Sequence, residues 1–336
     1  MKIRVLGAGF YGSHIGLALK RAGMDVQIHE IAPHIFAGAS GSIPARLHIG
    51  CHYPRSRLTR AACLDHRADF MASYGFLTRA VPVNLYTIAA DHSLVDFDQY
   101  VATLRNEIEF LTVHDPAEFG LQNVEGAIQV AERHIVTGMA RAYFETELGD
   151  VVRCNTAPGD VDSSEWDYTI DCTFCANDSA GVDRYEPCLV VLLEKQVYEW
   201  PVDTAITIMD GPFPSLYPWD EGKQLCSLSS AKWTPFSKTC KTWAEARELL
   251  DGLTAADIKA QGREMIKSMG HFYPDINSGG LWLPKDYLTS IRAMPLSGAD
   301  TRLVDVVRVG ERALRVRAGK IDAIIAAEKM IRELMG

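Results

Sequence analysis

Residues 3–30 constrain this chain more than any other stretch. Ile3-Arg4-Val5-Leu6 is a short apolar run, and Gly7-Ala8-Gly9-Phe10-Tyr11-Gly12 follows at once. A helix-like stretch then reaches Gly23, and a second apolar run through Val26 and Ile28 ends at Glu30. The order is strand, glycine turn, helix, strand, acid. Gly7 permits the tight turn, Gly9 lets backbone amides approach a pyrophosphate, and Gly12 lets helix and strand pack closely. Phe10 and Tyr11 belong to the same turn and to the expected site. The helix N-terminus offers its positive dipole end to phosphates. Glu30 is spaced to accept hydrogen bonds from both hydroxyls of an adenosine ribose. The glycine triplet alone is a weak signal; with every flanking part in place it specifies a dinucleotide site.

Composition sets the outer bounds. With 336 residues, 47% hydrophobic and 23% charged, the chain can build one large or two medium soluble domains. Its net charge of −9 disfavours nucleic acid and membrane surfaces as partners. Apolar runs such as Cys188–Leu193 are too short to span a bilayer. The N-terminus runs straight into the first strand, so no signal peptide is expected and the chain reads as cytoplasmic. Of eight cysteines, only Cys172 and Cys175 are spaced as CxxC. A single such pair is a poor zinc signal, and the end of a strand is the wrong place for a thioredoxin-like motif. Small buried reduced thiols are the expectation.

Residues 34–56 form a loop with Gly, Ser and several polar side chains, and long ordered loops without periodicity are usually functional. Residues 57–74 read as a helix with Leu58, Ala61, Ala62, Leu64 and Phe70 on its apolar side. Val83–Ile88 reads as a strand and Leu94–Glu109 as a helix. Ala127–Val130, Val151–Cys154 and Tyr168–Thr173 read as strands, the last apolar enough to be central, with a helix over Val136–Glu147. From 188 to 235 short strands alternate with Gly/Pro turns: Leu189–Val197, Ala205–Met209, Ser215–Pro218 and Gln224–Ser229. That pattern indicates an antiparallel sheet. Residues 243–269 return to helix, and Leu314–Arg317 leads through Ala318-Gly319-Lys320-Ile321 into a closing helix ending at Leu334.

The fold expected is α/β, a Rossmann-like nucleotide-binding domain with an inserted, mostly antiparallel β-sheet substrate domain. The nucleotide domain is expected to be discontinuous, over 1–80, 125–185 and 285–336. The substrate or cap domain takes 81–124 and 186–284, with the ligand cleft between the layers.

The glycine turn does not by itself separate NAD from FAD. The order of segments resembles the D-amino-acid-oxidase-like (glycine/sarcosine oxidase-like) superfamily of FAD-dependent oxidoreductases over nearly the whole chain. The resemblance implies FAD, with the ADP half on Gly7, Gly9, Gly12 and Glu30. Ala39-Ser40-Gly41 is similar to the family segment that contacts the pyrophosphate, and Arg46-Leu47-His48 leads on to the flavin. Val151-Val152 looks like the strand that meets the adenine. Ile170-Asp171-Cys172-Thr173 matches the strand that passes beneath the pyrophosphate. Gly319, Lys320 and Ile321 are similar to the turn that aims amides at the flavin pyrimidine, where they stabilise negative charge. Members commonly carry glycines where this chain has Asp171-Cys172-Thr173-Phe174-Cys175. Some members attach flavin through His or Cys, and Cys51 and His52 match that pattern only loosely; noncovalent FAD is expected.

The resemblance also implies an enzyme that removes hydride from a C–N or C–O bond to flavin N5. The substrate would be a small amine, amino acid or hydroxy acid, and the electron acceptor oxygen or an unknown carrier. Arg292 is the best candidate to grip a substrate carboxylate in bidentate fashion; a structural ion pair is its plain alternative. His48, His52 and Tyr53 belong to the loop expected beside the isoalloxazine and could serve in acid/base chemistry. Arg46 and Arg55 could contact flavin or a substrate anion. Tyr217 could project from the inserted sheet into the cleft. Trp233 and Tyr273 read as core aromatics, and Trp282 beside Gly279 and Gly280 has no functional case. The alternative within enzymes is an FAD-dependent enzyme, including a monooxygenase, acting on a modified sugar or biosynthetic intermediate. A nicotinamide-dependent dehydrogenase lacks its continuous nucleotide fold, and a nonenzymatic sensor has no use for histidines beside a redox ring.

Overall fold

The computed structural model describes all residues except 109–111, 161–162, 197–203, 221–223, 279 and 297–302. The expected ends at Glu109 and Val197, and Gly279, lie outside the described residues.

Among the described residues, three sheets build the molecule. The first is six-stranded: β1 (Lys2–Leu6), β2 (Asp25–His29), β9 (Val152–Arg153), β10 (Tyr168–Asp171), β16 (Asp305–Gly310) and β17 (Ala313–Arg317). They lie in the order β16-β17-β10-β1-β2-β9. All neighbours are parallel except β16 and β17. The second is eight-stranded: β5 (Val83–Ala89), β6 (Thr112–His114), β7 (Val124–Gln129), β11 (Val182–Lys195), β12 (Thr204–Met209), β13 (Pro214–Asp220), β14 (Leu225–Ser230) and β15 (Trp282–Pro295). Their order is β15-β11-β14-β13-β12-β5-β7-β6, antiparallel apart from the β5–β12 pair. β3 (Arg46–Leu47), β4 (Thr78–Ala80) and β8 (Arg133–Ile135) form a small third sheet between them. Strands β11 and β15 run through residues 185/186 and 284/285, so the expected domain boundaries there fall within one strand pair.

Helices cover both layers: α1 (Phe10–Arg21), α2 (Ala39–Ser42), α3 (Arg57–Tyr74), α4 (Phe97–Arg105), α5 (Thr137–Leu148), α6 (Trp243–Gly252), α7 (Ala255–Gly270) and α8 (Ile324–Met335). The strand β1 is buried on both sides, with Ile3 and Val5 in one core beside Ile15, Ile28, Ile170 and Ile324. That accounts for its unbroken apolar run. A separate core lies beyond the large sheet, where Leu85, Ile206, Leu216 and Leu228 meet Met265 and Met269 of α7. Among the described residues no helix is long and apolar enough to cross a membrane.

Two local expectations change. The helix over 57–74 forms over Arg57–Tyr74, but Leu58 is 72% exposed, and the buried side carries Thr59, Arg60, Cys63, Phe70 and Tyr74. Arg60 is drawn inward because it bonds the carbonyls of Tyr53 and Pro54 and the carboxylate of Glu107, and this fixes the helix rotation. The stretch 243–269 is two helices. Thr254 accepts from the amide of Asp257, whose carboxylate accepts from Thr254 in return, so a capping box starts α7 afresh. The edge strand β15 was not legible as such. It holds Pro284, Lys285 and Asp286, which an edge tolerates and a central strand does not.

Candidate active site

The nucleotide end assembles as the glycine chemistry requires. Gly7 sits at φ +88°, and a Cβ there would lie 3.0 Å from the Cys172 carbonyl oxygen. A Cβ on Gly12 would lie 1.9 Å from the Gly7 carbonyl oxygen. These two positions admit only glycine, and they bring the turn against Cys172 and Thr173 at the end of β10. Gly9 caps α1 without a side-chain bond, and the first turn carries no acid. Ser40 Oγ accepts from the Phe10 amide at 3.0 Å, placing α2 and its Gly41 over that N-terminus. Glu30 accepts from the amides of Ala8 (2.7 Å) and Ala32 (2.9 Å). Val152 pairs with Ile28, beside Glu30. Where the family pattern has glycines, Phe174 and Cys175 adopt φ +59° and +62°. Two non-glycine residues thus hold left-handed backbone, at a cost of about 1–2 kcal/mol each.

Tyr11 joins this end to the C-terminal turn, its hydroxyl donating to the Lys320 carbonyl at 2.5 Å. Gly319, Lys320 and Ile321 thus stand beside α1, and Lys320 Nζ lies 4.3 Å from the Tyr53 ring centroid. Asp322 follows, fully buried, and neither of its carboxylate oxygens has a partner among the described residues. Burial pushes its carboxyl up to about 7, against the pull of Lys320 and of its own amide.

The loop after Leu47 is held by three groups that the sequence did not single out. Glu132 accepts from the Ile49 amide at 2.9 Å, Tyr100 donates to the Cys51 carbonyl at 3.0 Å, and Arg60 grips Tyr53 and Pro54. His48 and His52 rings then lie 5.4 Å apart, with Tyr53 5.2 Å from His52. His48 Nδ1 is 3.4 Å from Glu132 Oε1 and 3.3 Å from the Tyr86 hydroxyl, which donates to Glu132 at 2.7 Å. Burial and the Lys320 charge lower His48 to about 4, so it is neutral at pH 7. Burial opposes ionisation of Glu132, yet His48, the Ile49 amide and the Tyr86 hydroxyl together hold it at about 2. The result is a neutral imidazole backed by a carboxylate.

Arg46 is buried among this group. Its guanidinium donates to Thr207 Oγ1 at 3.1 Å and stacks 4.2 Å from the Tyr217 ring centroid. Tyr217 reaches the cleft side of its strand, with a buried hydroxyl that has no partner among the described residues. Arg55 pairs with Asp210 at 2.8 Å at the rim. Arg292 does not stand free: it is ion-paired with Glu186 at 2.5 Å. Trp233 packs against the core beyond the large sheet, and Tyr273 lies within that core. Glu132 and Glu186 each adjoin an apolar strand segment, the one local signal the sequence holds for them.

No protein-family model matches the chain. Against curated proteins, it is 32% identical over 340 residues to the FAD-dependent monooxygenase FPY4 of Fusarium mangiferae, covering 98% of this chain and 90% of that one. The chain belongs to the same family of FAD-dependent oxidoreductases as FPY4. The FAD-dependent monooxygenase kojA of Aspergillus flavus is 28% identical over 297 residues, 78% of this chain and 69% of that one. Glycine oxidase from Geobacillus kaustophilus shares the fold with a TM-score of 0.68 at 14% identity, over 99% of this chain and 94% of that chain. L-alpha-glycerophosphate oxidase from Mycoplasma pneumoniae with FAD bound gives 0.69 at 11% identity, over 98% and 92%.

This oxidoreductase is an FAD enzyme, and its residues fit the cofactor. The glycine cradle excludes side chains where the backbone turns, and an acid-free helix N-terminus suits the pyrophosphate. Glu30 retains acceptor capacity for ribose hydroxyls. The buried, unpartnered Asp322 beside the Lys320 turn is the kind of orphan a bound ligand or water satisfies.

Proposed function

We propose that this FAD-dependent oxidoreductase dehydrogenates a hydroxyl-bearing carbon of a small oxygen-rich substrate. Amines and hydroxy compounds are both open from the sequence. The His48–Glu132–Tyr86 network favours the hydroxyl. A neutral amine can lose hydride without a strong protein base, whereas an alcohol carbon must also shed its O–H proton. His48 rests neutral with Nδ1 turned to Glu132 and Tyr86, which leaves Nε2 to receive that proton. The Glu132 carboxylate offsets part of the burial and Lys320 charge that disfavour the imidazolium that results. Bound FAD supplies the acceptor for the hydride. Arg46, Tyr217 and Thr207 offer polar groups to the substrate's other oxygens, while Tyr53 and Lys320 close the side near the C-terminal turn.

Cys51 is fully buried, and burial raises its thiol well above the ordinary range. It is a poor nucleophile, which supports noncovalent FAD.

The names of the two fungal relatives support a second reading, insertion of one oxygen atom from dioxygen into a biosynthetic intermediate. Anaerobic mixing with a panel of polyols, hydroxy acids and amines separates the two. Loss of flavin absorbance with hydroxy compounds alone, without dioxygen, supports dehydrogenation, and hydrogen peroxide on admitting air identifies oxygen as acceptor. Incorporation of ¹⁸O from labelled dioxygen into product would establish the monooxygenase instead. Bleaching by amines alone would remove the alcohol reading.

A further inference from the structure

We infer that Glu186 sets the charge of the substrate: by occupying the guanidinium of Arg292 it excludes carboxylates and reserves the cleft for uncharged hydroxylated molecules. The inference deepens the proposed alcohol dehydrogenation and rests on it.

Glu186 on β11 and Arg292 on β15 are register partners in the large sheet, so their side chains emerge on the same face. That face also carries Cys188 and Ser290, another partnered pair. Glu186 is 1% exposed, while Arg292 keeps 35% of its side chain accessible. Both side chains emerge on the sheet face that carries Tyr217 and Ser227, with Glu186 buried and Arg292 partly accessible. A second arginine, Arg184, locks Glu186 from the other side at 2.8 Å and is itself held by Asp183 at 2.6 Å. Glu186 therefore has little freedom to swing away.

An arginine facing a substrate cleft attracts a carboxylate through two parallel N–H donors. Here Nη2 is already committed to Glu186. A substrate carboxylate would have to compete with Glu186 for that donor, beside a like charge that Arg184, itself shared with Asp183, only partly offsets. That like charge is the repulsive element that specificity against a competitor needs. Arg292 Nε is a different matter. It is buried and has no hydrogen-bond partner among the described residues. One N–H donor with its charge already compensated suits a single neutral acceptor, a hydroxyl or carbonyl oxygen.

Lactate and propane-1,2-diol share a carbon skeleton and differ by a carboxylate against a hydroxymethyl group. Each is titrated into the FAD-loaded protein, wild type and Glu186→Gln, with the perturbation of the flavin spectrum as readout. Glutamine keeps the shape and hydrogen bonding of Glu186 without its charge. The wild type is expected to bind the diol in preference to lactate. E186Q is expected to bind lactate at least about tenfold more tightly than wild type, the diol changing little. The double variant E186Q/R292Q is expected to lose that gain. Unchanged lactate affinity in folded, FAD-retaining E186Q overturns the inference, as does a gain that persists in the double variant. Where E186Q fails to fold, the wild-type comparison decides, because lactate binding as tightly as the diol also overturns it. If wild type binds the diol and E186Q gains nothing for lactate, only the role of Glu186 fails. If wild type binds neither probe and E186Q gains nothing, the alcohol reading fails with it.

Discussion

On one face of the eight-stranded sheet, Leu85, Ile206, Leu216 and Leu228 pack against Met265 and Met269 of α7. On the other, the register sets Asn84 beside Ala205, Tyr86 beside Thr207, Thr207 beside Ser215, and Tyr217 beside Ser227. Both faces are buried, and the second carries apolar residues too, Ile88, Ile128 and Met209 among them, but the charged groups lie on that side. Each leucine or isoleucine on the α7 side contributes about 1.5–3 kcal/mol by leaving water. The cleft side holds Arg46 against Thr207 and Tyr217, a carboxylate at Glu132, and orphan atoms at Tyr217 Oη and Asn84 Oδ1. Each such orphan costs about 1–3 kcal/mol. A protein keeps such a face where a ligand supplies the missing partners. One side of the sheet is apolar throughout the contact with α7, and the other mixes apolar packing with the buried polar groups of the proposed site.

Substitutions on the two sides should therefore separate. The largest effect is expected at His48. His48→Gln should retain FAD and fold normally while the rate of flavin reduction by substrate falls on the order of 10²–10⁴-fold; stopped-flow absorbance reads this, and a rate near wild type removes His48 as base. On the opposite face, Leu228→Ala should cost about 2–5 kcal/mol of stability in denaturant unfolding, with the surviving folded enzyme keeping its kcat. A loss of kcat at full occupancy would blur the division between faces.

Acid provides a third test. His134, on β8 beside the cleft, is held at about 4 against 6.5 when unfolded, chiefly by burial, with Arg79 and Arg133 adding to it. Between those values the unfolded chain takes up a proton that the folded chain refuses. Stability should then fall as pH drops through that window, by up to ~3 kcal/mol, and His134→Gln should flatten the curve measured by unfolding at each pH. His48 titrates in the same window, so part of the slope should remain. The smallest effect is expected at Tyr217→Phe. Removing a buried, unpartnered hydroxyl should leave stability unchanged or raise it by up to ~1 kcal/mol, while substrate affinity weakens. Unaltered affinity would place Tyr217 outside the substrate contacts.

Much of this architecture was legible because its signals are contiguous. The glycine turn, the alternation over 188–235 and the helix over 57–74 each announce themselves within one short window. The rotation of α3 was not legible, since Arg60 turns inward for partners in another loop and at Glu107. The break at Thr254 was legible in principle through the Thr254–Asp257 spacing, but the helical periodicity on both sides hid it. The strand β15 escaped because its polar residues suit an edge, and edge position is a property of the whole sheet.

The sequence by itself determined the glycine turn between β1 and α1 and the FAD-dependent class of the enzyme. Gly7 and Gly12 answer to backbone geometry over a few residues, where only glycine fits, and Glu30 to the amides of Ala8 and Ala32 that it accepts from. Only the tertiary structure decided which of the buried charges are paired. Glu132 reaches Ile49 across 83 positions and Arg292 reaches Glu186 across 106. Whether an arginine is free to bind a substrate or is already neutralised depends on which strands the sheet sets side by side. A linear chain does not encode that neighbour in any local pattern, because ion pairing acts through space and falls off within a few ångströms.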